Sequence, residues 1–419
     1  MSSTNGEKPF SKFLLMIGPG LIVAATGVGA GDLATGAITG SKLGLVALWA
    51  VALGALLKFV LTEGLARYQL VSGRTVLEGM IGSGGQPLRV FFLLYLTCWT
   101  FLTALALMGA CGVVAHALYP LVNPNADRII YGFLHSLAAL ALVQRGGFEV
   151  FEKFMSVCVG IMFASTVGTA IALQPDWSQF LHGLFWPTFL SLDNDGRQWT
   201  ISVIGGIGGT VTLLCYGYWI REVGRKGPES LASCRGDLAA GYLMTALFGM
   251  AMILIGSRIT VEGGGSRLVV KLGAQLQEAF GPSGVYVKWA FLTGAWSAVF
   301  SSMLGVWQSA PYLFVDALKT GPTRHLSPRE IRQASGYRYF LWMLATIPGL
   351  ALWVSFARVQ KAYALFGAAF LPLLACALLY FNLRSADVDR RYRNRWWSNA
   401  ILIAILVFFA FSGWLEVTQ

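Results

Sequence analysis

The chain has 419 residues, 56% of them hydrophobic and only 12% charged, with a mean hydropathy of +0.62. Soluble domains carry roughly 25% charged residues, so the composition argues against a soluble enzyme and for a polytopic α-helical membrane protein. The net charge of +11 does not indicate a nucleic-acid partner, because the basic residues crowd into alternate connections between apolar segments, as the positive-inside rule requires.

A membrane-spanning helix takes ~20 apolar residues. Eleven candidates lie near residues 13–40, 44–68, 90–118, 128–144, 151–173, 200–222, 237–257, 287–317, 337–356, 359–382 and 397–415. Lys8 and Lys12 lead straight into the first span without a small-residue cleavage site, so no cleavable signal peptide is expected. Clusters such as Arg221, Arg225, Lys226 and Arg235, or Arg384, Arg390, Arg391, Arg393 and Arg395, fall on the side that the N-terminus occupies. The expected topology has a cytoplasmic N-terminus and an outside C-terminus, in a bacterial-type inner (plasma) membrane.

The first span is interrupted by Gly27-Val28-Gly29-Ala30-Gly31-Asp32. Glycine costs about 1 kcal/mol in a helix relative to alanine, so three glycines in five residues favour unwound backbone. In lipid such backbone persists only where it is buried in protein or lines a cavity, and an acid at that depth is functional by default. Asp32 also suits a capping role at the start of the second half-helix. The second span contains Lys58, either snorkelling to an interface or forming an internal ammonium paired with Asp32 or Glu63 in place of a coupling cation. His116 and His135 lie near the outer ends of the third and fourth spans, where an interfacial role is expected. The connection from Gln174 to Trp199 reads as a loop.

The sixth span repeats the opening theme with Gly205-Gly206-Ile207-Gly208-Gly209-Thr210. Glycine-interrupted spans in corresponding positions of two halves point to a transporter binding site. The expected organisation is one transmembrane domain, residues 1–419, with inverted repeats of five helices at about 13–173 and 200–382 and an extra helix at 397–415. Tyr216, Tyr218 and Trp219 follow the second break and serve either the bundle or an organic-cargo pocket. Cys215 stands three residues past Thr212. The six cysteines (Cys98, Cys111, Cys158, Cys215, Cys234 and Cys376) form no CxxC pair and read as free buried thiols.

Several segments resemble the Nramp divalent-metal transporters. Gly18 to Ala24 resembles the family's helix-1 opening, and Ala34-Thr35 with Gly40-Ser41 its close. Arg67 to Glu78 is similar to its helix-2 end, and Gln144-Arg145-Gly146 with Glu152 to its helix 4–5 turn. Phe291 to Gly305 resembles its helix 8, and Leu371-Pro372 its helix 10. The likeness covers residues 13–415 and implies an all-α, leucine-transporter-type fold of eleven transmembrane helices, with helices 1 and 6 unwound. It implies no cofactor and no enzymatic activity.

The site departs from the family pattern. Where the family has Asp-Pro-Gly-Asn, this chain reads Gly29-Ala30-Gly31-Asp32. Where the family has A-T-x-M-P-H, it reads Gly209-Thr210-Val211-Thr212-Leu213-Leu214, so Thr212 replaces the methionine and Leu214 the histidine. The family's helix-3 acids align near Thr103 and Ala106, and its helix-10 glutamines near Ala364 and Phe370. Loss of the thioether removes the preference for soft metals. The expected substrate site is Gly29, Ala30, Gly31, Asp32, Gly209, Thr210 and Thr212, with Asp32 and Thr212 as oxygen ligands for a hard cation such as Mg²⁺ or Mn²⁺. Lys58 and Glu63 are the expected coupling or charge partners, and proton coupling through helix 3 is not expected. The alternative cargo is a small organic solute, an amino acid or amine; a non-transporting sensor would more naturally carry a soluble domain. Expected partners are the transported cation or solute and the lipid bilayer, with no nucleic acid and a monomer as the working state.

Overall fold

The computed structural model describes residues 18–258, 268–319, 326–384 and 388–418. Lys8 and Lys12 lie outside the described residues, as does the first span before Gly18.

Helix 1 is two helices, α1 (Gly18–Gly27) and α2 (Ala30–Leu43). All ten residues of α1 are buried. The second span is α3 (Leu48–Ser72), stopped by Gly73 in the left-handed conformation with its N–H on the Gln69 carbonyl. The third, α4 (Val76–Leu118), opens on a reciprocal cap between Thr75 and Glu78. Gly85 interrupts it at φ 62 and ψ −152, two residues before Pro87, and the span expected at 90–118 is the part beyond this break.

The chain continues through α5 (Pro124–Arg145) and α6 (Gly147–Ala172). The connection expected to be a loop holds a short helix, α7 (Trp177–Phe185), because Asp176 caps it by accepting from the Ser178 and Gln179 amides. Helix 6 is again broken, into α8 (Asn194–Gly206) and α9 (Tyr216–Glu222), with a 3₁₀ turn at Val211–Cys215 between them. Beyond it come α10 (Leu231–Ser257), α11 (Leu268–Ala279), α12 (Gly284–Lys319), α13 (Pro328–Gln333) and α14 (Ser335–Thr346). The last three are α15 (Phe356–Ala368), α16 (Phe370–Arg384) and α17 (Trp396–Thr418).

Among the described residues nine stretches are long and apolar enough to cross a membrane. One of them runs from α2 through a 3₁₀ turn into α3, and α14, with 12 residues, falls short on its own. Counting α2 apart from α3 and including α14 recovers the eleven spans of the sequence. The outward faces suit lipid: Leu94, Leu134 and Val407 are exposed, as are the large aromatics Tyr339, Trp353 and Trp396. All six cysteines are free, but Cys98 and Cys376 are exposed on the bundle rather than buried.

Two helices form the scaffold. α10 packs on both halves of helix 1 and on α3, and α12 packs on α1, α4 and α6. Lipid tails offer no hydrophobic drive for helix association, so close backbone approach through small residues takes its place. A Cβ on Gly241 would strike the Gly20 carbonyl, and one on Gly256 would strike the Ala37 carbonyl. Ion pairs tie the arginine-rich end: Glu78–Arg221 at 2.9 Å, Arg225–Asp237 and Arg332–Glu222, each with its carboxylate almost wholly buried. At the other end His116 meets Asp127 at 2.6 Å, and Arg128 donates to the Leu352 and Val354 carbonyls.

Two substitutions on one helix test this packing. Gly241→Leu forces α10 off α1 and costs about 1–3 kcal/mol or more. Gly236→Ala meets open space and is neutral or stabilising by up to about 1 kcal/mol. Thermal unfolding of the detergent-solubilised protein reads both; equal effects would contradict the described contact.

Candidate functional site

The two breaks meet. A Cβ built on Gly27 would lie 2.5 Å from the Gly208 carbonyl carbon, so the helix 1 and helix 6 backbones touch with no room for a side chain. Gly208 and Gly209 have φ of 77 and 89, a left-handed region that glycine enters without steric cost. The glycines therefore supply both the turn and the contact.

Each broken end leaves backbone groups without a helical partner, and particular side chains supply them. Ser302 Oγ of α12 donates to the Thr26 carbonyl at 2.8 Å, closing the end of α1. The Gly29 amide donates to Asp32 Oδ2 at 3.1 Å, capping the start of α2. Lys58 Nζ of α3 donates to the Ile204 and Gly205 carbonyls at 3.1 and 3.0 Å, closing the end of α8. Beside the helix 6 break, Trp99 Nε1 of α4 donates to the Thr210 side-chain hydroxyl at 3.2 Å, a contact that fixes this side chain rather than a backbone group.

Asp32 is 3% exposed and Lys58 0%. The two attract one another as opposite charges. Each also sits at the half-helix end of opposite sign: the carboxylate at an N-terminus, the ammonium at a C-terminus. Asp32 Oδ1 has no hydrogen-bond partner among the described residues, and neither do Thr212 Oγ1 nor Thr103 Oγ1.

Helix 10 contributes a face that the sequence reading missed. Gln360 Nε2 donates to the Ala106 carbonyl at 3.1 Å and leaves its Oε1 without a partner. Tyr363 lies against Gly31, and Gly367 against Thr210. Gln360, Tyr363 and Gly367 are spaced i, i+3, i+7 along α15, one helical stripe. That spacing was the available signal; alignment to the family's glutamines drew attention to Ala364 and Phe370 instead. Ser302 and Trp99 carried no such signal, because single residues in an apolar helix look alike until the helices are packed.

Gly29, Ala30, Gly31 and Asp32 open α2, and Gly209, Thr210 and Thr212 lie across the contact in the helix 6 break. Lys58 is at the site. Glu63 is not Lys58's partner: it pairs with Arg67 at 3.1 Å and with Arg235 at 2.7 Å, as part of the arginine-rich end. Five residues along a helix turn a side chain well away from its predecessor's face. Tyr216, Tyr218 and Trp219 are committed to Asp237, Asp316 and Gln308, and Cys215 is buried beside Ser309. His135 is held between the Tyr131 carbonyl and Trp296 Nε1. Among the described residues no three His, Cys, Asp or Glu side chains gather in a metal-holding group.

The family described as Natural resistance-associated macrophage protein-like, Nramp, matches residues 20–417. The chain belongs to the Nramp family. The family is one of transporters rather than enzymes. The chain is similar to the divalent metal cation transporter MntH of Bradyrhizobium diazoefficiens, 25% identical over 272 residues, which cover 62% of this chain and 58% of that relative. The match thus spans little more than half the relative's length. Its backbone resembles a mutant of the Eremococcus coleocola manganese transporter, with a TM-score of 0.75, 15% identity, and coverage of 97% of this chain and 87% of the other. It also resembles MhsT in complex with L-phenylalanine, with a TM-score of 0.62, 18% identity, and coverage of 92% and 95%. This Nramp chain is an all-helical, multi-pass membrane protein with a fold of leucine-transporter type.

Removing the Glu63 charge separates its role from that of the site. Glu63→Gln leaves Arg67, 3% exposed, without its carboxylate, and breaking a buried pair costs about 3–5 kcal/mol. Arg235→Gln removes a partner whose side chain is 45% exposed, for about 0.2–1 kcal/mol. Denaturation in detergent checks the ranking; the reverse order would contradict the pairing.

Proposed function

We propose that this Nramp protein is a secondary transporter whose cargo passes through the meeting point of broken helices 1 and 6, and that the site favours a hard divalent cation, Mg²⁺ or Mn²⁺, over soft transition metals. One observation carries the reading. A buried carboxylate, Asp32, keeps Oδ1 uncommitted at that meeting point, and uncommitted oxygens on neighbouring elements include Thr26 Oγ1, Thr212 Oγ1, Thr103 Oγ1 and Gln360 Oε1. Oxygen donors suit hard cations, and Mg²⁺ keeps several of its waters. With one carboxylate present, the cargo binds largely hydrated. The aligned acids of helix 3 are Thr103 and Ala106 here, so cargo movement is not coupled to protons along that helix. On this proposal the N-terminus is cytoplasmic and the C-terminus outside, and inverted repeats at about 13–173 and 200–382 are followed by an extra helix at 397–415.

A second reading has its own support. The Lys58 ammonium already offsets the charge of Asp32, which suits a small solute carrying both an amine and a carboxylate, such as an amino acid.

Flux into proteoliposomes decides. Mg²⁺ or Mn²⁺ enters vesicles holding the wild type, and Asp32→Ala brings entry to background; unchanged flux in Asp32→Ala would remove Asp32 from the site. Amino-acid or amine uptake without divalent flux would establish the second reading. Restoring the family ligands with Gly29→Asp, Asp32→Asn and Thr212→Met raises transition-metal binding by calorimetry only when Ser302→Gly is added, since a Cβ at position 29 lies 2.5 Å from Ser302 Oγ.

A further inference from the structure

We propose that Lys58 is a tethered counter-ion: its ammonium occupies the position a separate coupling cation would take, bracing the end of α8 and neutralising Asp32 whenever the cargo is absent. The proposal rests on the reading that the break is the transport site.

The geometry is that of a bound cation. Lys58 is fully buried, and its Nζ is held by two main-chain carbonyls, Ile204 and Gly205, at the end of a half-helix. A helix C-terminus gathers partial negative charge and favours a cation. An ammonium has three donors; two are used on these carbonyls, and Asp32 is the opposite charge that acts on it through space, without a direct ion pair. The other acid on its helix, Glu63, is committed to Arg67 and Arg235. Snorkelling does not describe this side chain, since its tip ends on buried backbone rather than in an interface. It is anchored on α3, which also packs on α8, α10 and α16.

The consequence concerns the empty carrier. A lone carboxylate in a dry membrane interior is strongly unfavourable. With Lys58 acting on it through space, the unloaded site would carry one negative and one positive charge, so it can reorient without taking up a second ion. A cation arriving at Asp32 Oδ1 competes with the attraction to Lys58 and with the Gly208 amide, which also acts on this carboxylate, while the two carbonyl bonds of Lys58 remain. Transport is therefore independent of any Na⁺ or K⁺ gradient, and removing the ammonium creates a vacancy that fits a small monovalent cation.

The full-length protein tests this in two ways. In detergent at constant ionic strength, wild-type thermal stability is the same in Na⁺, methylammonium and choline. Lys58→Ala is less stable in choline and regains stability saturably with Na⁺ or methylammonium. A wild type stabilised by Na⁺ over choline would overturn the proposal, even should the variant fail to fold; so would Lys58→Ala as stable as wild type, or stabilised equally by choline. In proteoliposomes with Mn²⁺ as the probe, Lys58→Met loses net uptake at least tenfold but retains exchange against internal Mn²⁺, while Lys58→Arg keeps both. Net uptake within twofold of wild type, or equal loss of uptake and exchange in a folded variant, would overturn it. Mn²⁺ flux that survives Asp32→Ala would instead remove the underlying site assignment and leave the stability result to decide Lys58 separately.

Discussion

Broken helices in a membrane must satisfy their backbone from within the protein, and this constraint organises the structure around residues 27–32 and 205–212. Water cannot hydrogen-bond the freed amides and carbonyls in the hydrocarbon layer. Three of these ends are met by a side chain from another helix or by their own cap: Ser302 at the end of α1, Asp32 at the start of α2 and Lys58 at the end of α8. The residues that permit the break are thus tied to those available for binding. Asp32 spends one oxygen on the cap and keeps the other uncommitted.

Charge is used differently in the middle and at the arginine-rich end. There, Glu63, Glu78, Glu222 and Asp237 are each matched by arginines whose remaining surface reaches solvent or a neighbouring helix. Such pairs knit helices together, and removing one partner strands the other. At the centre a single carboxylate and a single ammonium face opposite half-helix ends. The helix ends supply part of the compensation that a richer set of ion pairs provides elsewhere. On the proposed reading, a site with so little surplus charge would discriminate against a bare, tightly coordinated transition metal and suit a cargo that brings its own water or its own counter-charge.

Much of this was readable before any coordinates. The hydropathy pattern placed the spans, and the doubled glycine runs located both breaks, because glycine in lipid-buried helices is conspicuous and its backbone effect is local. Asp32 and Lys58 stood out because charge in an apolar helix is rare. Direction was harder to read. Glu63 is as buried as Asp32 and was grouped with Lys58, yet a five-residue step turns it to Arg67 and Arg235. Gln360 and Tyr363 were missed, since their relevance depends on which face of α15 packs toward α4 and α2. The helix at Trp177–Phe185 reads as loop in the sequence because its proline-flanked, polar surroundings mask the Asp176 cap.

The central claim is that Asp32 Oδ1 is where the cargo ion arrives. Anomalous scattering from crystals of the wild-type protein grown with Mn²⁺ tests it most directly. The account predicts one Mn²⁺ peak at the contact of helices 1 and 6, bound to Asp32 Oδ1 directly or through one water and lost in Asp32→Ala. A peak confined to the arginine-rich end or the opposite surface, or one that survives Asp32→Ala unchanged, would contradict it.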